Sequence, residues 1–363
     1  MNIGPVRLAN QHVSRPTFRE PADVVRWLGA VQAQDYVGGL WAIGLRTKGA
    51  TEATVEDAVA RRTIVRTWPM RGTLHFVAAE DVRWILPVLT PRVVAGAQSR
   101  FRQLGLDGAT FTRAARVAEK ALAGGNVVRR DALYELWKAA GIATHDARGL
   151  HLLGVLSQEG LLCFGPRDGK QQTFTLLEEW VPTARSLERD AALGELARRY
   201  FTSHGPATVQ DFAWWAGLTV TDARMGLESA KHALESAAAN DREFWFAASR
   251  PAKGKSDAAF LLPPWDEFTV AYRDRRDILD PKYARRVNAG GGILSPVIVV
   301  RGGVVGTWKR AIKKDTVTVT PTFFKALNGA DHALVAAAVE RYARFLGLSR
   351  GVLTLRRGSE SDS

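Results

Sequence analysis

Two primary amides separated by one small apolar residue stand at the break between two apolar runs, as Gln32-Ala33-Gln34, with Asp35 directly after them. In a locally extended chain, residues two apart point to the same side. Two amides on one side offer donors and acceptors together, enough to hold a water or the edge of a ligand. A second reading stands beside this one: the amides cap a helix end or bond to loop backbone. Asp35 is a lone carboxylate abutting both. A similar polar-apolar-polar triplet, Thr73-Leu74-His75, falls in a β-branched stretch, so Thr73 and His75 share a strand face; a wing strand with one exposed edge gives the same pattern. Asp266 and Glu267 are adjacent, and in a strand they would face opposite ways, which does not suit paired acid–base work across one bond. No Walker loop, serine elbow or kinase signature is present. No lysine lies within 32–35 to form a Schiff base.

The elements that must position these residues follow from periodicity. Residues 21–31 carry Val24, Val25, Trp27 and Leu28 on one helical face, with Pro21 at the helix start. Gly38 and Gly39 break that pattern, and helices over 39–46 and 55–62 follow. Strands over 63–68 and 73–77, joined by Pro69-Met70-Arg71-Gly72, complete three helices and a two-stranded ribbon, the winged-helix plan. The plan recurs with helices over 113–123 (Ala115, Val117, Ala118 and Leu122 inward), 130–140 (Leu133, Leu136 and Trp137 inward) and 145–159 (Leu150, Leu153, Val155 and Leu156 inward). Strands over 161–164 and 173–177 then flank Asp168-Gly169, a strong hairpin signal. A third copy has helices over 191–202, 209–216 and 221–229, the last capped by Thr219 or Thr221, and wing strands over 244–246 and 260–262 around a basic loop. Beyond 263 come strands over 297–300, 304–308 and 316–320, turns over 301–303 and 309–315, and a helix over 331–346. The expected class is α+β: winged helix 1 over 1–100, winged helix 2 over 101–185, winged helix 3 over 186–262, and a β-rich segment with a terminal helix over 263–363, packed with winged helix 3.

The chain of 363 residues carries a net charge of +13, a balance that points to a polyanionic partner, nucleic acid before an acidic membrane surface. Its basic residues gather at loop and wing positions: Arg61, Arg62, Arg66 and Arg71, then Lys253 and Lys255, then Lys309, Arg310, Lys313 and Lys314. As a set they read as phosphate contacts. The third helix of the middle copy, with His145, Arg148, His151 and Gln158 as polar members, is not strongly basic, which argues against each copy reading its own DNA sequence. The single cysteine, Cys163, excludes an intramolecular disulfide and a cysteine-based zinc or iron–sulfur site. The seven histidines show no metal spacing, so neither metal nor cofactor is expected. The N-terminal residues lack the apolar core of a signal peptide and no run reaches membrane-spanning length, so a soluble cytoplasmic protein is expected, with no membrane partner.

Several stretches, taken in order, are similar to one family. They are Gln32-Ala33-Gln34-Asp35; Arg66-Thr67-Trp68-Pro69-Met70-Arg71-Gly72-Thr73-Leu74-His75; His204-Gly205-Pro206-Ala207-Thr208 running into Asp211-Phe212-Ala213-Trp214-Trp215; Leu262-Pro263-Pro264-Trp265-Asp266-Glu267-Phe268 with Tyr272-Arg273-Asp274-Arg275; and Ser295-Pro296 through Val305-Gly306-Thr307-Trp308-Lys309-Arg310. The chain resembles the bacterial winged-helix DNA glycosylases, with their AlkZ-like and YcaQ-like branches. The resemblance implies three tandem winged helix-turn-helix motifs in a C-shaped arrangement. It implies removal of bulky N7-alkylguanines from double-stranded DNA, including interstrand crosslinks made by natural-product genotoxins, by a monomeric, cofactor-free enzyme of repair or self-resistance. The family's catalytic motif falls on Gln32 and Gln34, in the two-glutamine form of the AlkZ-like branch. Its Thr-apolar-His motif falls on Thr73 and His75, expected to contact the DNA backbone. Asp35 lies outside the motif. The alternative function is a non-catalytic winged-helix transcriptional regulator.

Overall fold

An apolar face of Val24, Val25 and Leu28 makes the helix that leads into the glutamine motif, and the helix stops at Gly29, whose φ of +82° an L side chain would resist. The structure, a computed structural model, describes residues 2–248 and 257–355. Its first part is α1 (Ile3–Asn10), α2 (Pro21–Leu28), β1 (Val31–Gln32), α3 (Tyr36–Gly44), α4 (Glu52–Ala60), β2 (Ile64–Met70) and β3 (Thr73–Ala78). Then come α5 (Val82–Gly96), α6 (Gln98–Gln103), α7 (Gly108–Leu122), β4 (Val128–Arg129), α8 (Arg130–Ala139), α9 (Arg148–Gln158), β5 (Leu162–Phe164), β6 (Thr173–Leu176) and α10 (Leu177–Trp180). The order of three helices and a hairpin appears again as α11 (Arg189–His204), α12 (Val209–Ala216), α13 (Val220–Ala230), β7 (Leu234–Ala239) and β8 (Arg242–Ala247). The rest is β9 (Ala259–Leu262), α14 (Glu267–Val270), α15 (Ala284–Val287), β10 (Val297–Val300), β11 (Gly303–Lys313), β12 (Thr316–Phe323), α16 (Gly329–Phe345) and β13 (Arg350–Leu353). The chain is mixed α/β, and among the described residues no helix is long and apolar enough to cross a membrane.

Several sequence expectations are corrected. The helix over 21–31 is shorter, because Val31 and Gln32 pair with β3 as a strand. Gly38 and Gly39 lie inside α3 instead of breaking the helix; a Cβ at Gly39 would stand 3.1 Å from the Ala33 Cβ, so that glycine permits close packing on the motif. Helix α5 is an element the sequence reading does not include; Pro87 and Pro91 lie within it. Leu136 and Leu150 are exposed, not core. Thr219, not Thr221, caps α13. The partner of β8 is β7, whose Leu-Glu-Ser-Ala-Ala-Ala sequence carries little strand signal, whereas 260–262 belongs to β9, which pairs with β10. Strand β11 runs on to Lys313, so Lys309, Arg310 and Lys313 lie on a strand and not in a turn.

The first two hairpins merge into one six-stranded sheet, in the order β1-β3-β2-β5-β6-β4, through the pairing of Arg66 with Phe164. The five strands β13-β12-β11-β10-β9 form a second sheet. That sheet and α16 share a core with the first part of the chain: Trp41 packs on Tyr342 and Phe345, and its indole N–H donates to the Leu261 carbonyl. The C-terminal segment therefore rests mainly on the first part, and it is chiefly the stretch near Tyr272 that joins the core of α11–α13. Between these cores, Arg46 donates through Nη1 and Nη2 to the two carboxylate oxygens of Asp266, both at 2.9 Å, with both side chains fully buried. Arg46 also donates to the Ala42 and Gln11 carbonyls and to the Gln11 side chain, so all five of its N–H groups are used. Breaking such a pair leaves an uncompensated buried charge. Asp266→Ala is expected to lower the unfolding free energy by about 3–5 kcal/mol in urea denaturation; a loss below about 1 kcal/mol, the scale of an exposed pair, would contradict this account.

Candidate active site

The glutamine motif is held at consecutive residues. The Gln32 N–H donates to Glu267 Oε1 at 3.1 Å. The Ala33 N–H donates to the Leu74 carbonyl at 2.7 Å, and the Ala33 carbonyl accepts from Arg66 Nε and Nη2 at 3.2 and 2.9 Å. Arg66 is itself buried, stacked over Phe164, and donates to the Gln172 side chain, so the second hairpin helps to fix the motif. Residue 33 is small and fully buried because α3 packs directly on it through Gly39.

The two amides occupy different environments. Gln32 is buried, and its Oε1 accepts from Arg71 Nη2 at 2.9 Å. Gln34 is exposed, and its Oε1 accepts from the Leu74 N–H at 3.2 Å. The backbone-bonding alternative therefore holds for one oxygen of Gln34. Neither residue caps α3, whose N-cap is Asp35. An amide oxygen has two lone pairs, so each glutamine retains acceptor capacity.

Arg71 and His75 belong to the same cluster. Arg71 (φ +53°) and Gly72 (φ +69°) form the two-residue turn between β2 and β3, a conformation suited to a twisted hairpin. His75 Nδ1–H donates to the Thr73 carbonyl at 3.0 Å, which leaves Nε2 to accept from Arg71 Nη2 at 3.3 Å. Burial, and then the Arg71 charge, push His75 well below its usual pKa and keep it neutral. Burial pushes Arg71 down to about 10, and the negative charge of Glu267 opposes that shift. His75 is fully buried, so its side chain does not reach a DNA backbone in this geometry; it buttresses Arg71. Arg71 likewise turns inward to Gln32, and a Cβ at Gly217, after α12, would stand 3.2 Å from its Cγ. Thr73 is half-buried, its hydroxyl donating to the Met70 carbonyl at 3.3 Å.

Sequence reasoning missed Glu267. It and Asp266 stand at the start of α14, not in a strand, and serve separate partners. Glu267 is fully buried; besides Gln32, it accepts from Trp215 Nε1 at 2.8 Å and faces His204 Nε2 at 3.3 Å. Burial pushes its carboxyl up, but these hydrogen bonds outweigh burial and hold it below the usual range. The only trace in the sequence was the Pro-Pro-Trp-Asp-Glu-Phe stretch; its partners lie far away along the chain.

Lys309, Arg310, Lys313 and Lys314 are all exposed on the β11–β12 hairpin. Lys309 and Arg310 share with Asp35, Trp41 and Pro264 the wall of a 380 Å³ cavity, so the base of the hairpin adjoins the end of the motif. Lys253 and Lys255 lie outside the described residues. Arg61 pairs with Asp57, and Arg62 stacks over Trp180.

Comparison with known proteins bears on this geometry. The sequence model of a family described as DNA glycosylase AlkZ-like matches residues 25–345. The chain belongs to the AlkZ-like DNA glycosylase family. Enzymes of this kind hydrolyse N-glycosidic bonds. The chain is 26% identical over 380 residues to a Streptomyces sahachiroi protein named interstrand DNA cross-link repair glycosylase, covering 96% of each. Its fold matches the solved structure of the Streptomyces sahachiroi DNA glycosylase AlkZ with a TM-score of 0.80 at 24% identity, over 97% of this chain and 98% of that one.

Burial holds His75 and His204 below 6.5 in the folded protein, against the partial opposition of Glu267 at His204. An unfolded chain takes up protons on both as pH falls below about 6.5, and the folded chain does not. Their contribution to stability is therefore complete above that pH and is lost on acidification. The melting temperature is expected to be level from pH 8 to 7 and to fall towards pH 5.5, with a shallower fall in His75→Asn; identical slopes in the two proteins would count against it.

Proposed function

We propose that the protein hydrolyses the N-glycosidic bond of bulky N7-alkylguanines in duplex DNA, interstrand crosslinks included, as a cofactor-free monofunctional glycosylase. The observation that carries this reading is the Gln32-Ala33-Gln34 segment, fixed along its main chain, with one amide under Arg71 and the other at the surface. An N7-alkylguanine is cationic and leaves as a neutral base, so little acid is needed. The C1′–N9 bond breaks with its electron pair going to the base, and the sugar becomes oxocarbenium-like. Water adds at C1′, its proton passes to solvent, and an abasic site remains. Amide oxygens of Gln32 and Gln34 orient that water and favour the developing positive charge without being strong bases. Unmodified guanine is not cationic, so a centre this weak leaves it intact.

A bulky adduct does not easily enter the tight pocket into which base-flipping enzymes draw a nucleotide. In the proposed architecture, the helix–hairpin units act as three winged helix-turn-helix motifs in a C-shaped arrangement, whose channel accepts the adduct in the duplex. Lys309, Arg310, Lys313 and Lys314, with Thr73, Lys253 and Lys255, supply phosphate contacts. The name of the Streptomyces relative, with its reference to cross-link repair, supports this substrate class. We place the enzyme in the cytoplasm, as a monomer acting in repair or self-resistance.

The test is a single-turnover assay on an N7-alkylguanine duplex, in which abasic sites are converted to strand breaks by alkali and heat. Gln32→Ala and Gln34→Ala are each expected to slow excision by about 10²–10³-fold, by analogy with removal of one transition-state hydrogen-bonding group. Binding isotherms should change little in both, and the melting curve little in Gln34→Ala. Gln32→Ala should melt somewhat lower, because it takes an acceptor from the buried Arg71, while remaining folded, and Gln34→Asp should keep measurable activity. Tight binding without abasic sites on any such substrate would return the reading to a regulator. Replacing Lys309, Arg310, Lys313 and Lys314 together with alanine should weaken binding to all duplexes alike and flatten its salt dependence; an altered lesion preference at an unchanged salt slope would contradict that role.

A further inference from the structure

We propose that Glu267 is a positioning residue for the hydrolysis: from the far side of the strand it holds the Gln32 main chain, and so sets where the Gln32 amide stands. The inference rests on the reading of Gln32 as a catalytic group. Glu267 has no exposed surface, so it neither takes a proton from the attacking water nor gives one to the base. Its contacts all run inward. Oε1 accepts from the Gln32 N–H, while Oε2 accepts from Trp215 and faces His204. A carboxylate only accepts, so the contact with Glu267 needs the proton on His204 Nε2; Nδ1 lies 2.8 Å from the Ser203 hydroxyl, whose single proton also lies within reach of the Arg199 carbonyl at 2.7 Å.

A neutral acceptor would satisfy one peptide N–H at far lower desolvation cost than a buried carboxylate. Three N–H groups converge on this carboxylate from β1, α11 and α12, and only an anion accepts from all three without an orphan donor. A glutamine in its place would turn its NH₂ toward at least one of them. The carboxylate thereby ties the motif, which lies in the first sheet, to the ends of two helices roughly 170–180 residues further along. Its charge also favours the charged form of Arg71, the donor to the Gln32 side chain, so Gln32 is held at its backbone by Glu267 and at its amide by Arg71.

The experiment is a double-mutant cycle of Glu267→Gln and Gln32→Ala, read by single-turnover rate at saturating enzyme, DNA affinity and melting temperature. Exchange of the Gln32 backbone amide proton is followed in ¹⁵N-labelled protein. Glu267→Gln is expected to slow excision by about 10²-fold, the scale of a misplaced reacting group, at unchanged DNA affinity. The Gln32 amide should exchange faster in that variant. In the Gln32→Ala background, Glu267→Gln should cost nothing further. If Glu267→Gln does not fold, Trp215→Phe, which keeps an aromatic side chain and removes one donor, enters the cycle instead, with about a 10-fold expected loss. Multiplicative losses, or a wild-type rate in Glu267→Gln beside a slow Gln32→Ala, overturn the positioning role alone. A wild-type rate in Gln32→Ala overturns the catalytic reading of Gln32, and the positioning role falls with it.

Discussion

The structure turns on one short segment, Asp266-Glu267, whose two buried carboxylates face in different directions. Asp266 takes the paired Arg46 at the end of α3, and Glu267 takes the Gln32 main chain, Trp215 and His204. Tyr272, a few residues on, accepts from Gln11 and donates to the His204 carbonyl. These bonds join residues separated by 50 to more than 200 positions in the chain. A buried charge tolerates little displacement from its partner, because any gap exposes the full desolvation cost of both ions. The segment thus fixes the relation of the first part, the third helix–hairpin unit and the C-terminal sheet more sharply than apolar packing alone would.

The position of the glutamine motif follows from that constraint. Strand β1 is only two residues long, too short for its own pairing to hold it firmly. The strand and the motif that continues from it are fixed from three sides: β3 beside β1, Glu267 at the Gln32 N–H, and Arg66 at the Ala33 carbonyl. Arg66 in turn depends on the second hairpin, through Gln172 and Phe164. The motif is therefore a local sequence whose geometry is set by every major part of the molecule. A family resemblance that spans nearly the whole chain is what such a construction would leave behind.

Much of the fold was legible. The first two hairpins, helix 209–216 and the Asp-Gly turn all follow from period and turn chemistry. The errors share a cause. Gly38-Gly39, Pro87 and Pro91 are punctuation in isolation, yet in place they serve packing or are carried by tertiary contacts. Strand β7 forms without strand-like residues because β8 offers it a ladder. In the site, Gln32 and Gln34 were visible as an unusual spacing. The inward turn of Arg71 and the burial of His75 were not, because both depend on what lies beneath the hairpin. Glu267 was the least legible, since nothing local tells a buried, thrice-bonded carboxylate from a solvated one.

The charges around Gln32 constrain any chemistry done there. A unit positive charge about 4 Å from another is repelled by about 4 kcal/mol at an effective dielectric constant near 20. An arginine beside a developing oxocarbenium would on that scale oppose the reaction by a large factor. In this site the arginine is not left bare: Arg71 spends Nη2 on the Gln32 oxygen and on neutral His75, and the negative charge of Glu267 partly offsets its own. Burial of His75 matters for the same reason, because a second cation at that point would add to the repulsion. What meets the reacting centre on the proposed reading is then a polarised neutral amide, with its charge balanced one layer behind. That arrangement suits a leaving group that already carries its positive charge and offers little to one that does not, so selectivity for the alkylated base would arise from the weakness of the centre itself.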